Sequence, residues 1–559
     1  MKKLAILAWM VPMISLAQVD PNGDSVHFQR TKYQVQADGN LNQLKGDGNL
    51  FAYRQTIWMS GTSYGSDTIA HLSAQEYRAS RIDFYPGPIS TDPSATQHWD
   101  RTWTVTKGMV DSLKNGLYTT IPEPIQSWPT QGRSQFGERQ SLAPYVDVDN
   151  DGSYDPAMGD YPVIKGDIST IAIFNDWNDR GFYQYWAFQM EGIAWYYMVE
   201  GTGVEQRAVF TEYEMWNTSS NSYEEAWVSV FSDLDVGDAF ANNIGTDAQR
   251  HSVYAYPYSP LYAGGPAYPT KSPWGAVTIL EGPIADVGDG VDNNWDGCVD
   301  GVVDAQGNCI SENPSAGIEE PTTLQTSMGY NNTFVGHNRI PQMDAHYRMY
   351  MLGRWVDGSF IKVENPSGFN SLNNGDGHNP SVATGISSFI FPGNSYAPDP
   401  LVAAVPNADI NFFESPAESY DKRVIGSAGP FTWDPNEKIT FAYATLWGTV
   451  DTSNFMNIID SIGAEIDQLQ IVHQTIGVEE VEIPLLDLIV GQDDEHLYVE
   501  NPHGDSFDFE ILDINGRALL TGRIGASTKT QIRTTALAPG VYILRTTDAL
   551  FATKWIKQP

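Results

Sequence analysis

Between Tyr145 and Pro162 the chain reads YVDVDNDGSYDPAMGDYP, with four aspartates, an asparagine and one glycine in the nine residues from Asp147 to Asp155. That much negative charge in a turn-forming segment is chemistry for a hard cation. Asp147, Asp149, Asp151, Gly152 and Asp155 fall at positions 1, 3, 5, 6 and 9 of a calcium-loop pattern. In such a loop alternate carboxylates converge on one point, and the glycine allows the sharp turn. A second segment, DNNWDGCVD, repeats the spacing with Asp292, Asn294, Asp296, Gly297 and Asp300. Position 12, a bidentate glutamate in an EF-hand, is Met158 in one loop and Val303 in the other. Asp160 and Asp304 lie slightly beyond and are candidates to replace it. Asp and Gly also build solvated turns that hold no ion. Two loops with one spacing favour structural calcium, held weakly at about 10⁻⁴–10⁻³ M without the twelfth ligand.

Other chemistry is sparser. SDLDVGDAFANNIGTD offers Asp233, Asp235, Asp238, Asn242, Asn243 and Asp247, either as another cation loop or as a glycosidase-like carboxylate pair. The second role needs two carboxylates at a defined separation with unequal pKa values. GTSYG, Gly61 to Gly65, matches a Gly-x-Ser-x-Gly nucleophile elbow. That elbow requires a strand before it and a helix after it, whereas the following DTIAHLSAQEY alternates like the return strand of a hairpin. Ser63 is therefore a weak nucleophile candidate. None of the ten histidines completes a His-Glu-x-x-His zinc site. The aromatic run Asp176 to Met198 reads mainly as core, with Trp177, beside Asp176 and Asp179, the best candidate for a ring that stacks on sugar. No catalytic or cofactor-binding residue is assigned.

These sites need elements to position them, and the composition points to β structure. The 559 residues suggest two to four domains. RAVFTEYEMWN, AWVSVFSDLDV and KITFAYATLWG show partial alternation with β-branched and aromatic residues, punctuated by 50 Gly and 33 Pro. The clearest helix runs from Asn454, its cap, to about Gln474, with Phe455, Ile458, Ile459, Ile462, Ile466 and Leu469 on one stripe. After Gly477 a linker, residues 478–482, leads to a module spanning 483–559. Its repeated short strands read as a small immunoglobulin-like β-sandwich, and DINGR supplies a hairpin turn at Asn515-Gly516. The expected fold is thus mainly β: a β-sandwich-like multi-domain body over 18–477, with a subdomain boundary near residue 160, and the small terminal sandwich.

Charge and termini set the compartment. Lys plus Arg number 32 against 69 Asp plus Glu, a formal charge of −37 that disfavours nucleic acid and anionic lipid as partners. MKKLAILAWMVPMISLAQ has a basic start, an apolar stretch and small residues before Gln18, the pattern of a signal peptide over residues 1–17. The stretch is too short to span a bilayer, and no transmembrane segment is expected. Cys298 and Cys309 are the only cysteines. In an exported chain such a pair favours a disulfide, adding about 2–3 kcal/mol, with two separate buried thiols as the alternative.

The tail resembles the C-terminal sorting domain, type A, of cargo proteins of the type IX secretion system of Bacteroidota. Asn501-Pro502, EILDINGRAL, LAPGVYIL and the terminal ATKWIKQP carry the resemblance. It implies Sec export, recognition by the type IX secretion machinery, outer-membrane translocation and a surface-attached or released product. The body, through TIWMSGTSYG, IDFYPGPIS, LAPYVDVDNDGSYDPAMGDYPVIKGD, FSDLDVGDAF, LGRWVDG, SSFIFPG and DKRVIGSAGPFTWDP, is similar to large secreted proteins of the same group. Related sequences often have an acidic pair where Asn242 and Asn243 stand. The second loop resembles the DGxDNDxDGxxD segments of other secreted bacterial proteins, with Cys298 as a departure. That group brings no activity across. The expectation is a secreted or cell-surface protein with a calcium-supported body, binding an extracellular glycan or surface ligand or acting structurally. The alternative is an extracellular polysaccharide hydrolase using the acidic cluster near Asp233.

Overall fold

In the computed structural model the described residues are 25–65, 68–77, 83–177, 185–257, 270–304, 307–363, 385–390, 421–476, 489–492, 496–500, 506–512, 518–525, 528–535, 537, 540–546 and 552–557. The signal segment, Asp179, the linker at 478–482 and the Asn515-Gly516 turn lie outside them. The fold is mainly β, as expected, and its sheets are antiparallel.

Two nine-stranded sheets form the body. The first runs Ser25–Phe28, Thr31–Val35, Leu41–Gly46, Arg54–Tyr64, Tyr223–Asp233, Lys422–Trp433, Thr326–Asn331, with two further strands paired along it. The second runs Asn242–Asp247, Ser252–Pro257, Lys271–Glu281, Lys438–Asp451, Ala208–Asn217, Met190–Met198, Ile168–Asn175, Tyr85–Pro86, joined by Trp103–Thr106. Leu44, Ile57, Val228 and Phe431 from the first sheet share one core with Ala194, Val209, Tyr213 and Trp447 from the second. That is a sandwich, built by inward-facing side chains of both layers. Several central strands are buried along their whole length, including Ile168–Asn175 and Met190–Met198. This burial on both faces is why their sequences alternate only in part.

The first sheet is covered on its other face too. Trp58, Phe231, Tyr330 and Ile425 pack there against Tyr347, Tyr350 and Met351 of the helix Asp344–Met351. The long C-terminal helix of the body is Ile458–Ile476, preceded by a 3-10 stretch, Thr452–Asn457. Phe455, Ile458, Ile462, Ile466 and Leu469 are buried as the stripe requires, but Ile459 is 39% exposed. Asn454 does not cap the helix. It lies inside the 3-10 stretch with non-helical backbone angles, because the tighter turns begin before it.

Chain contacts divide the molecule into a unit of Met1–Val303 with Cys309–His473 and a second of Asp304–Asn308 with Gln474–Pro559. Within the second unit a three-stranded sheet and a four-stranded sheet share a core of Leu497, Val499, Phe509, Ile511, Ile524, Ile532, Tyr542 and Leu544. This is a small sandwich in its own right.

Close sheet contact fixes one glycine. A Cβ on Gly46 would lie 2.0 Å from the Trp447 ring, and that indole donates to Thr31 Oγ1 at 2.9 Å, so it is not free to retreat. Gly46→Ala should lower stability by about 1–3 kcal/mol, the usual cost of overpacking. Gly65→Ala, where a Cβ meets nothing within 4 Å, should shift it by less than about 0.5 kcal/mol. Urea unfolding midpoints check both.

Candidate functional site

The two predicted loops share one hydrogen-bond pattern over positions 1 to 7, although in the second Asp296 Oδ2 also accepts from Asn294 Nδ2 and Val303 N–H, at 3.2 and 2.7 Å. In the first, Asp151 N–H donates to Asp147 Oδ1 and to Asp149 Oδ1, both at 3.3 Å. Gly152 N–H donates to Asp147 Oδ2 at 2.8 Å, and Ser153 N–H to Asp151 Oδ1 at 2.7 Å. In the second, Asp296 N–H donates to Asp292 Oδ1 at 3.2 Å and Asn294 Oδ1 at 2.9 Å. Gly297 N–H reaches Asp292 Oδ2 and Cys298 N–H reaches Asp296 Oδ1, each at 2.9 Å. Donor for donor, positions 5, 6 and 7 bond to positions 1, 3 and 5 in both. Backbone φ is positive at position 4 (Asn150 +57°, Trp295 +60°) and position 6 (Gly152 +80°, Gly297 +92°). A tryptophan tolerates this conformation poorly. Trp295 is anchored by its indole, which donates to the Leu324 carbonyl at 3.0 Å.

Each loop is pinned from beneath by a buried carboxylate. Asp160 accepts from Val148 N–H and Asp155 N–H, both at 2.8 Å. Glu320 accepts from Asn293 and Asn294 N–H on one oxygen and from Gly301 N–H, at 3.1 Å, on the other. In both, one acid ties position 2 to position 9 or 10. Spacing offers Asp160 as a ligand, but both of its oxygens accept from the backbone. No spacing in the sequence points to Glu320. Asp304 accepts from the backbone and side-chain amides of Asn308.

Oxygens of Asp147, Asp149 and Asp151 lie within 4.8 Å of one another. Asp155 is not in that group, and its Oδ1 accepts from Ala157 N–H at 2.9 Å. Asp300 likewise turns to Gly290 N–H, at 2.7 Å. Burial and then repulsion from Asp151 raise the Asp149 carboxyl above its ordinary range. Asp292 is raised too, by burial first, against the donation from Gly297. Neither carboxyl is shifted by a neighbouring positive side chain. Cys298, at position 7, is disulfide-bonded to Cys309 with Cα atoms 5.1 Å apart.

The third acidic set is mostly dispersed. Asp238 caps the short 3-10 turn Ala239–Ala241, Asp247 pairs with Arg250 at 2.9 Å, and Asn242 and Asn243 are buried at the start of a strand. Only Asp233 and Asp235 come together, and Asp421 joins them. Asp233 ends the strand Tyr223–Asp233, on the face that carries Phe231. Neighbouring strand pairing sets Arg423 across from it, with Arg423 Nη2 3.3 Å from Asp233 Oδ2. Arg423 also pairs with Asp421 and donates through Nε to Tyr77 Oη at 2.9 Å, while Tyr77 donates to Asp233. Glu76 accepts from Tyr330 and Tyr347 in the same region.

Ser63 and His71 form a pair that sequence spacing did not reveal. Ser63 Oγ is 2.8 Å from His71 Nε2, and His71 Nδ1 is 2.8 Å from the Ala187 carbonyl. A carbonyl only accepts, so His71 Nδ1–H donates to it, and in the neutral ring Nε2 accepts from the serine hydroxyl. Yet both residues are 4% exposed, and the imidazole packs against Phe188 and Tyr223. GTSYG spans the end of Arg54–Tyr64, which pairs with Thr68–Ala74 as a hairpin. No helix follows, so this is a hydrogen-bonded core histidine and not an elbow.

Trp177 is 43% exposed and borders a cleft of about 180 Å³ with Tyr85, Asp92, Thr96 and Asn175. Asp176 is turned inward, accepting from Ser73 Oγ, Phe188 N–H and Met190 N–H. The aromatics of Met190–Met198 and Phe188 are core, but Trp186 in the same run is 64% exposed, against the core reading. No described helix is long and apolar enough to cross a membrane. Comparison of the chain with known protein families and with curated proteins returns no match.

Glu76 gives a pH signature. Burial, partly offset by the Tyr330 hydrogen bond, pushes its carboxyl from 4.5 to about 7. Between those values the folded chain holds a proton that the unfolded chain has lost, so this group's contribution makes stability fall as pH rises through about 4.5–7. Glu76→Gln should flatten that fall, its midpoint gaining on wild type as pH goes from about 5 to 8. Denaturant midpoints across the pH series check this, and parallel curves contradict it.

Proposed function

We propose that this chain is a secreted or cell-surface protein whose body is stabilised by calcium in the Asp147 and Asp292 loops. Its role is binding, adhesive or structural and not catalytic. The observation that carries the calcium reading is the hydrogen-bond pattern the two loops share, with the amides of positions 5, 6 and 7 donating to oxygen-bearing side chains at positions 1, 3 and 5. Oxygen ligands on a tightly turned loop are calcium chemistry. The export route rests on the resemblance of the tail to a type IX sorting domain, and a separate small sandwich at the C-terminus accords with it.

The hydrolase alternative would use Asp233. That residue is 2% exposed and engaged by Arg423 and Tyr77, whereas a glycosidase needs two carboxylates flanking an accessible bond. A glycan ligand finds better support at Trp177, an exposed ring beside a polar cleft.

Calcium binding to the folded state at about ten times Kd adds roughly 1.4 kcal/mol per site. The thermal midpoint of chelated protein should therefore rise with millimolar calcium and much less with magnesium, which demands a tighter octahedral shell. Asp151→Ala and Asp296→Ala should each lose part of the rise, and the double variant most of it. A wild-type midpoint indifferent to calcium refutes the proposal.

Export is tested separately. Deleting residues 483–559 should leave a folded body in the periplasm; normal levels in the medium or at the surface contradict the sorting role.

A further inference from the structure

The Asp233 cluster is untouched by the loop proposal, and its charge does not balance. Asp233, Asp235 and Asp421 surround a single guanidinium, Arg423. Arg423 serves Asp233 Oδ2, Asp421 and the Tyr77 hydroxyl. Asp235 has no hydrogen bond or ion pair among the described residues. Asp233 Oδ1 has no partner either, although its side chain is only 3% exposed. A buried carboxylate oxygen without a donor is costly, and such groups in native proteins require an explanation.

The place of that carboxylate, in a group of three, supplies one. One oxygen from each of the three carboxylates lies within 4.8 Å of the others. Ligands about 2.3–2.6 Å from one shared ion are spaced no farther apart than about twice that length. Asp233 is buried, and Asp235 and Asp421 are half-buried. The pairing of Ser232 with Val424 brings Arg423 next to Asp233, and Arg423 and Tyr77 both hold Asp233 Oδ2, so that carboxylate is fixed.

We propose that Asp233, Asp235 and Asp421 form a third divalent-cation site, distinct from the two loops and closed on its inner side by Arg423 and Tyr77. A dication brings three carboxylates and one guanidinium to zero net charge. Oxygen-only ligands select a hard ion of the calcium or magnesium kind over zinc or copper. Calcium is the natural probe. The competing state is one in which protons cancel the charge instead: burial, then Asp233 and Asp421, raise the Asp235 carboxyl above its ordinary range.

Equilibrium dialysis of the full chain against millimolar calcium near neutral pH, with bound metal counted per chain, separates the two. Asp235→Asn removes a ligand that has no hydrogen bond to lose, so the fold should persist. It should bind one calcium fewer than wild type. The Asp151→Ala/Asp296→Ala variant should retain one calcium, and adding Asp235→Asn should remove it. Should the loop variant fail to fold, wild type against Asp235→Asn alone decides. An unchanged calcium count in Asp235→Asn, particularly with a gain in stability, overturns the site and assigns the cluster to protons. Loss of loop calcium with this equivalent retained would sink the loop proposal and leave this one standing.

Discussion

Carboxylates fixed by backbone N–H groups before any cation arrives are the constraint on which both loops depend. Like charges gathered in a turn repel, and the turn opens unless something holds it. Here the holding is done from inside the loop, where the amides of positions 5, 6 and 7 bond back to positions 1, 3 and 5. It is done again from beneath, where Asp160 and Glu320 tie each loop's start to its end. Such pre-organisation lowers the ordering cost that a ligand would otherwise meet on binding. The loops differ in how their exits are secured. The first is closed by the short pairing of Val146 with Tyr161, the second by the Cys298–Cys309 bridge and the pairing of Gly301–Val303 with Cys309–Ser311.

The Asp233 cluster follows another logic. Its carboxylates are not held by a turn but brought together by the sheet, on the face opposite the sandwich core and beside Phe231, Tyr330 and Tyr347. One arginine crosses three partners there. Removing Arg423 or Asp233 would leave the other buried and short of its partner, a costly change that does not extend to Asp235, which makes no hydrogen bond or ion pair among the described residues. The sandwich therefore does more than bury apolar surface: strand order decides which charges meet.

What the sequence made legible was short-range. Loop spacing, the strand character of RAVFTEYEMWN and KITFAYATLWG, and the buried stripe Ile458, Ile462, Ile466 and Leu469 all lie within a few turns of chain and obey fixed periods. The hairpin reading of GTSYG held for the same reason. Glu320, Asp421 and Arg423 were not legible, because each reaches its site through pairing of segments far apart in the chain, and no spacing rule connects them. Ser63 and His71 met across a hairpin whose register the residues alone did not fix. Asp155 and Asp300 carry the right type at the right position, yet each bonds to a nearby backbone amide instead of joining positions 1, 3 and 5. A linear pattern does not specify that competition.

If the proposal is right, the two loops form a matched pair of calcium sites. Calcium anomalous scattering from crystals of the mature protein grown in millimolar calcium tests it most directly. A peak is expected in each loop, ringed by oxygens of Asp147, Asp149 and Asp151 in one and of Asp292, Asn294 and Asp296 in the other. Well-ordered loops with no anomalous peak in either would contradict it.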